Sequence, residues 1–203
     1  MPAPVIHLAS ESPRRREILA ALGIRFTFAG VRIDESAMPG ESPEEMVLRL
    51  AKAKAEAARD GTTCPVLGAD TAVVLGERVF GKPWDRADGL DMLASLSGRT
   101  HRVLTGVALL SEAGPATALS ATDVRFRDIG TAEAIAYWES GEPWDKAGAY
   151  AIQGAGGVFV EEIRGSYSGV VGLPVFETAR LLQAAGLPIL EGMTASQTRE
   201  HQP

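Results

Sequence analysis

Apolar and polar positions along the chain follow two periods, one near 3.6 and one near 2, and their alternation predicts the elements. Residues 5–9 form an apolar run that reads as a first strand. Ser12-Pro13 then opens a helix to about Leu22, with Ser12 as N-cap, Pro13 in the first turn and Ile18, Leu19 and Leu22 as its apolar stripe. Residues 26–29 give a second strand. Ser42-Pro43-Glu44-Glu45 combines a capping box with an early proline. The helix it starts reaches about Arg59 and buries Met46, Val47, Leu50 and Ala51. Residues 66–75 are apolar around one interruption, Asp70-Thr71. Residues 87–96 and 131–140 read as helices; residues 102–110, 121–126 and 158–163 read as strands. Leu173-Pro174 leads into a last helix ending near Ala185.

Helices and strands alternate, yet some strands are adjacent in sequence. The fold class expected is α/β, a mixed twisted sheet with flanking helices. No repeat or low-complexity linker divides the chain. Residues 1–190 therefore read as a single domain, and residues 191–203, polar and without apolar period, as a flexible C-terminal tail.

Composition narrows the function. Of 203 residues 45% are hydrophobic and 23% charged, which excludes a disordered or disulfide-stapled chain. No apolar run has membrane-spanning length, and Met1-Pro2-Ala3-Pro4 lacks the regions of a signal peptide, so the expected location is cytoplasmic. Cys64 is alone, which rules out an internal disulfide and a Cys-rich metal site. The net charge of −6 argues against a nucleic-acid surface. It leaves room for a small phosphate-bearing substrate, because cations cluster at Arg14-Arg15-Arg16 and at Lys52 and Lys54.

Four segments can carry chemistry. Ser10-Glu11-Ser12-Pro13-Arg14-Arg15 lies between strand and helix, where unpaired N–H groups and the positive dipole end suit a phosphate. Arg14 and Arg15 are locally unfavourable beside that positive end, which implies an anionic partner; Arg16 reads as solvent-facing. Asp70 sits in an otherwise apolar strand, where a carboxylate needs a partner, a hydrogen bond or a metal. It is a metal ligand, a general base, or an ordinary Asp at a strand break. Residues 76–83 approach a phosphate-binding loop, but Pro83 replaces the required hydroxyl residue and Val79-Phe80 suits a strand; Lys82, aimed by the rigid Gly81-Lys82-Pro83 turn, and Asp85 remain as residues that can line a site. Residues 144–154 are rich in small residues, and Gln153 can hydrogen-bond a base edge. Gly165-Ser166-Tyr167-Ser168-Gly169 is no nucleophile elbow, since Tyr167 stands at the serine position. His7, His101 and His201 show no ligand spacing, and Trp84, Trp138 and Trp144 read as core or rim aromatics.

Taken in order, Leu8-Ala9-Ser10-x-Ser12-Pro13-Arg14-Arg15, Ile33-Asp34-Glu35, Leu50-Ala51-x-x-Lys54-Ala55, Gly68-Ala69-Asp70-Thr71, Gly81-Lys82-Pro83, Leu96-Ser97-Gly98, Asp145-Lys146-Ala147-Gly148-x-Tyr150-x-Ile152-Gln153-Gly154 and Gly172-Leu173-Pro174 resemble the Maf (septum formation) nucleotide pyrophosphatases, over roughly residues 5–185. The resemblance implies two lobes around a central cleft, akin to inosine triphosphate pyrophosphatases, and metal-dependent cleavage between the α and β phosphates. By position it makes Asp70 the catalytic acid residue and Glu35 a second carboxylate near the metal. Ser10, Arg14, Arg15, Lys54 and Lys82 become phosphate contacts; Arg14, Thr71 and Gln153 fall where the family sets base preference. The segment from Asp145 to Gln153 resembles the branch acting on dTTP and UTP, not the sister branch acting on 7-methyl-GTP. Ala72, where the family usually has Val or Ile, departs in packing and not in chemistry; Gly81 stands at a position that varies between Gly and Glu.

Oxygen ligands alone predict a hard divalent cation, Mg²⁺ or Mn²⁺. The expected partner is a nucleoside triphosphate, with no nucleic acid and no membrane; a homodimer is compatible with the sequence. The alternatives are a non-catalytic nucleotide-binding regulator of cell division and a 7-methyl-GTP-preferring pyrophosphatase.

Overall fold

A computed structural model describes residues 5–187 and 189. In chain order it contains β1 (Ile6–Leu8), α1 (Pro13–Ala21), β2 (Phe26–Phe28), α2 (Pro43–Ala57), β3 (Val66–Leu75), β4 (Arg78–Phe80), α3 (Arg86–Leu96), β5 (Thr100–Ser111), β6 (Gly114–Phe126), α4 (Thr131–Glu139), β7 (Val160–Arg164), α5 (Tyr167–Val171) and α6 (Val175–Ala184). The strands form one seven-stranded sheet in the order β2-β1-β3-β5-β6-β7, with β4 also paired to β3. β1 runs parallel to β2 and β3; the other pairs are antiparallel. The sheet is mixed, as expected, because α1 and α2 return the chain for parallel pairing while tight turns join β3 to β4 and β5 to β6.

The capping box of α2 forms: Ser42 Oγ accepts from the Glu45 N–H, and the Glu45 carboxylate accepts from the Ser42 N–H at 2.9 Å. Val47, Leu50, Ala51 and Ala55 bury one face of that helix. It lies unusually close to the sheet. A Cβ on Gly68 would stand 2.1 Å from the Ala51 carbonyl oxygen, and one on Gly106 would stand 2.5 Å from that of Val47. These glycines of β3 and β5 admit the helix backbone and set where the next turn, carrying Lys54, meets the sheet. On other parts of the sheet, one core gathers Phe80, Leu93, Leu96, Phe126 and Phe159, and another gathers Ile6, Leu8, Leu19, Leu67, Leu109 and Leu173.

The structure corrects several element boundaries. Asp70-Thr71 does not interrupt its strand: β3 is continuous and pairs with β5 from Val66↔Leu110 to Val74↔Arg102. The strand read at residues 121–126 begins at Gly114, as the far arm of a long hairpin with β5. β7 starts at Val160, because residues Ala155–Phe159 form a 3₁₀ turn. The short helix α5 follows Ser166, whose side chain caps it by accepting from the Gly169 N–H. Trp138 is buried with Trp144 stacked on it at 5.6 Å, whereas Trp84 is 94% exposed and belongs to no core. Among the described residues no helix is long and apolar enough to cross a membrane. The tail expected at residues 191–203 lies outside the described residues.

Candidate active site

A gap in sheet pairing creates the site. Along one edge β3 is paired throughout with β5, but its other edge meets β1 only at Val66 and Leu67 and β4 only from Val73 onward. Between those contacts, residues 68–72 are open on that edge. The chain leaving β1 turns there into α1, so the gap faces a helix N-terminus. The resulting cleft has a volume of about 500 Å³. Ser10, Arg14, Arg15, Glu35, Lys54, Asp70, Thr71, Lys82 and Gln153, drawn from segments far apart in sequence, all line it.

At its floor Lys54 joins two carboxylates. The Lys54 Nζ lies 2.6 Å from Asp70 Oδ1 and 2.7 Å from Glu35 Oε1. Asp70, two residues on from Gly68, points to the same β3 face toward α2, which is why a lysine on α2 reaches it. Asp70 is only 8% exposed. Burial pushes its carboxyl above the ordinary range, and the Lys54 and Arg15 charges counter only part of that. Glu35 comes from the irregular segment between β2 and α2 and its side chain is 59% exposed. Burial also raises it, but the hydrogen bond and charge of Lys54, with Lys82 and Arg15, outweigh that and hold it below the usual value. Two carboxylates with opposed shifts thus share one ammonium.

A directed hydrogen-bond chain holds Arg15. Its Nε donates to the Gly172 carbonyl at 2.8 Å, and its terminal nitrogens donate to Ser10 Oγ and Thr71 Oγ1, each at 3.3 Å. The Thr71 hydroxyl lies 3.0 Å from Thr105 Oγ1, which donates to the Gly169 carbonyl at 2.8 Å. With Thr105 committed as donor, Thr71 donates to Thr105 and accepts from Arg15. The guanidinium is therefore aimed before any ligand arrives. Burial lowers its pKa, and Asp70 and Glu35 counter this. Ser12 occupies the N-cap position of α1, but its side chain makes no cap bond; its N–H donates instead to Ser10 Oγ at 3.2 Å.

The remaining groups line the same cleft. Arg14 lies 3.9 Å from Asp145, which also pairs with Lys146. Asp145 is thus an anionic partner of the kind the position of Arg14 implies. Lys82, exposed just after β4, and Gln153, exposed on the segment before Gly154, also line it.

Thr105, Gly169 and Gly172 join the site through the Arg15 chain, which the sequence alone does not indicate. A polar Thr105 inside an apolar strand was a usable signal; the two carbonyl acceptors carry none. The described histidines are structural: His7 Nδ1 meets Thr27 Oγ1 at 2.7 Å, and His101 Nε2 meets the Tyr150 hydroxyl at 2.9 Å. Burial pushes His101 down to about 4, so it is neutral at physiological pH.

A family model described as Maf-like protein matches residues 5–185. A dTTP/UTP pyrophosphatase of Saccharophagus degradans is 51% identical over 193 residues, covering 93% of this chain and 92% of its own. One of Alkalilimnicola ehrlichii is 53% identical over 186 residues, covering 88% and 92%. Among solved structures, a HAM1 protein from Coxiella burnetii aligns with 61% of this chain and 73% of its own at a TM-score of 0.43 and 22% identity.

Proposed function

The chain belongs to the Maf-like family, and from that premise we propose that it hydrolyses dTTP and UTP to the nucleoside monophosphate and pyrophosphate. One observation carries most of the weight: the phosphate-binding candidates and two carboxylates with opposed pKa shifts meet in a single cleft beside the N-terminus of α1. The substrate is a small triphosphate and not a nucleic acid, in keeping with the net charge of −6.

In the proposed mechanism Ser10, Arg14, Arg15 and Lys82 take the triphosphate oxygens, with Arg15 already oriented by Gly172 and Thr71. A water oxygen bonds to the α phosphorus as the bond from that phosphorus to the bridging oxygen breaks. Pyrophosphate leaves with the electron pair, and the proton of the water passes to Asp70. A raised pKa makes Asp70 a stronger base than an exposed carboxylate, while Lys54 and Arg15 keep its charged form accessible.

Among the described residues no group of three or more His, Cys, Asp and Glu forms a metal cage. Asp70 and Glu35 nevertheless direct oxygens at one point, that of the Lys54 ammonium. Their chemistry fits a hard divalent cation, Mg²⁺ or Mn²⁺, which Asp70 and Glu35 would hold. When bound, that cation supplies a Lewis acid to a phosphoryl oxygen. Excess chelator is expected to reduce pyrophosphate release from dTTP to background, with recovery on adding Mg²⁺ or Mn²⁺. Full activity in chelator would remove the cation from the mechanism.

Base choice rests on Gln153 in this proposal. Its amide offers both donor and acceptor, matching the imide edge of thymine or uracil. On a nucleotide panel, dTTP and UTP are expected to turn over well and 7-methyl-GTP poorly. Gln153→Glu puts acceptor against acceptor and is expected to weaken pyrimidine turnover by roughly 1–3 kcal/mol. Lys82→Ala is expected to slow every nucleotide alike, because phosphates carry no base information. A wild type that prefers 7-methyl-GTP would refute the pyrimidine assignment, and one that binds nucleotide without releasing pyrophosphate would be a sensor, not an enzyme.

A further inference from the structure

We propose that Glu142 and Tyr137 are positioning residues that hold Gln153 and thereby set base selectivity. The proposal rests on Gln153 reading the base. Neither residue is among those that line the cleft.

Their role follows from what they grip. Glu142 lies in a 3₁₀ turn just after α4, and Tyr137 lies within α4. Glu142 Oε1 accepts from the Tyr137 hydroxyl at 2.7 Å and from the Gly156 N–H at 3.0 Å; Oε2 accepts from the Ala155 N–H at 2.9 Å. The Tyr137 hydroxyl accepts in turn from the Ala151 N–H at 3.0 Å. Ala151 and Ala155 flank Gln153 on either side. One carboxylate–phenol pair therefore fixes both ends of the short span that carries it, although the span itself has no regular strand or helix to stiffen it.

The glycines around Gln153 fit the same grip. A Cβ on Gly154 would lie 2.1 Å from Glu142 Oε2, and one on Gly156 would lie 2.5 Å from the Tyr137 oxygen. The backbone is bare there because the clamp occupies the space of a side chain. The Tyr137 ring is itself seated edge-on against Phe159, 5.1 Å between centroids, so the clamp is anchored to the core. Burial raises the Glu142 carboxyl, but its bonds to Tyr137 and to the Gly156 and Ala155 N–H groups keep it ionised and accepting.

Glu142→Gln keeps the shape and puts a donor among the donors it faces. Tyr137→Phe keeps the ring and strips the acceptor from the Ala151 N–H. The test compares kcat and KM for dTTP, UTP and GTP in the wild type, both variants and Gln153→Ala, with thermal unfolding of each. Both clamp variants are expected to lower the preference for dTTP over GTP about tenfold, through a raised KM for dTTP, since a displacement near 1 Å is enough for such a loss. GTP hydrolysis is expected to stay near the wild-type rate, which a loosened or partly unfolded protein would not allow. Equal losses on all nucleotides, or an unchanged preference while Gln153→Ala abolishes it, would overturn the proposal and leave Gln153 as base reader. A Gln153→Ala variant with the wild-type preference would overturn both. Should Glu142→Gln fail to fold, Tyr137→Phe decides by the same criteria.

Discussion

Asp70→Asn is expected to lower kcat for dTTP about 10²–10⁴-fold, the usual worth of a positioned general base, in a protein that still folds and binds nucleotide. Asn has the size of Asp but neither accepts a proton nor neutralises a cation. The same variant is expected to be at least as stable as the wild type when metal-free. Burial holds the folded-state pKa of Asp70 above its ordinary value, so the neutral form favours the fold. That contribution is fully present below the ordinary carboxylate pKa and is lost as pH rises through the raised one. Above that raised pKa the wild type carries a buried charge that weighs against folding, and Asn removes it. Single-turnover pyrophosphate release and melting curves at neutral pH measure the two effects. A folded variant with near-normal turnover removes Asp70 from the chemistry; a strongly destabilised one shows that the Lys54 pairing outweighs the cost of burying the carboxylate. Inactivity together with retained or increased stability is the signature of a residue kept for reaction at the expense of the fold.

The features of fold and site that were legible in the sequence are local: each either conflicts with its immediate surroundings or marks a helix start. Asp70 is a charge inside an apolar strand, Arg14 and Arg15 are cations at the positive end of a helix, and Pro13 and Ser42 mark helix starts by their own backbone chemistry. Such conflicts are local and can be read from neighbours a few residues away. What was not legible depends on tertiary placement. Nothing near Glu35 indicates that it meets Lys54, because that encounter is set by how closely α2 approaches Gly68 and Gly106. The Arg15 chain ends on carbonyl oxygens of Gly169 and Gly172, and every residue has a carbonyl. Glu142 looks like any acidic residue in a turn until its three donors are seen. In the fold, the first half of β6 was missed for a related reason. Its Ala, Thr and Ser positions give little period-2 contrast, and pairing with β5 makes it a strand in spite of that. In sequence Asp70-Thr71 looks like an interruption because a carboxylate resists burial; the ladder to β5 continues through it, and Lys54 supplies the buried carboxylate with its partner.

Lys54→Met is expected to lower kcat/KM about 10²–10³-fold, the scale for losing one preorganised charge contact to a developing oxyanion. Methionine keeps an unbranched stem that fills the same channel from α2, so the loss reports the ammonium and not the packing. The Lys54 side chain is only 13% exposed, and it is the shared counter-charge of Asp70 and Glu35. Without it two carboxylates face each other across the cleft floor, and the metal-free variant is expected to melt below the wild type. The diagnostic measurement is the rise in melting temperature on adding Mg²⁺. If ammonium and cation are drawn to the same pair of carboxylates, the wild type must displace or share its lysine to bind metal, and the variant need not. A ligand that binds the folded state more tightly raises its stability more at a given concentration. The Mg²⁺-induced shift is therefore expected to be larger in Lys54→Met than in the wild type, even though the variant is nearly inactive. Equal shifts would place the cation away from Asp70 and Glu35 and leave Lys54 as a phosphate contact alone. A larger shift with lost turnover would mean that Lys54 keeps the two carboxylates paired until metal and triphosphate arrive, and then turns its charge to the phosphates.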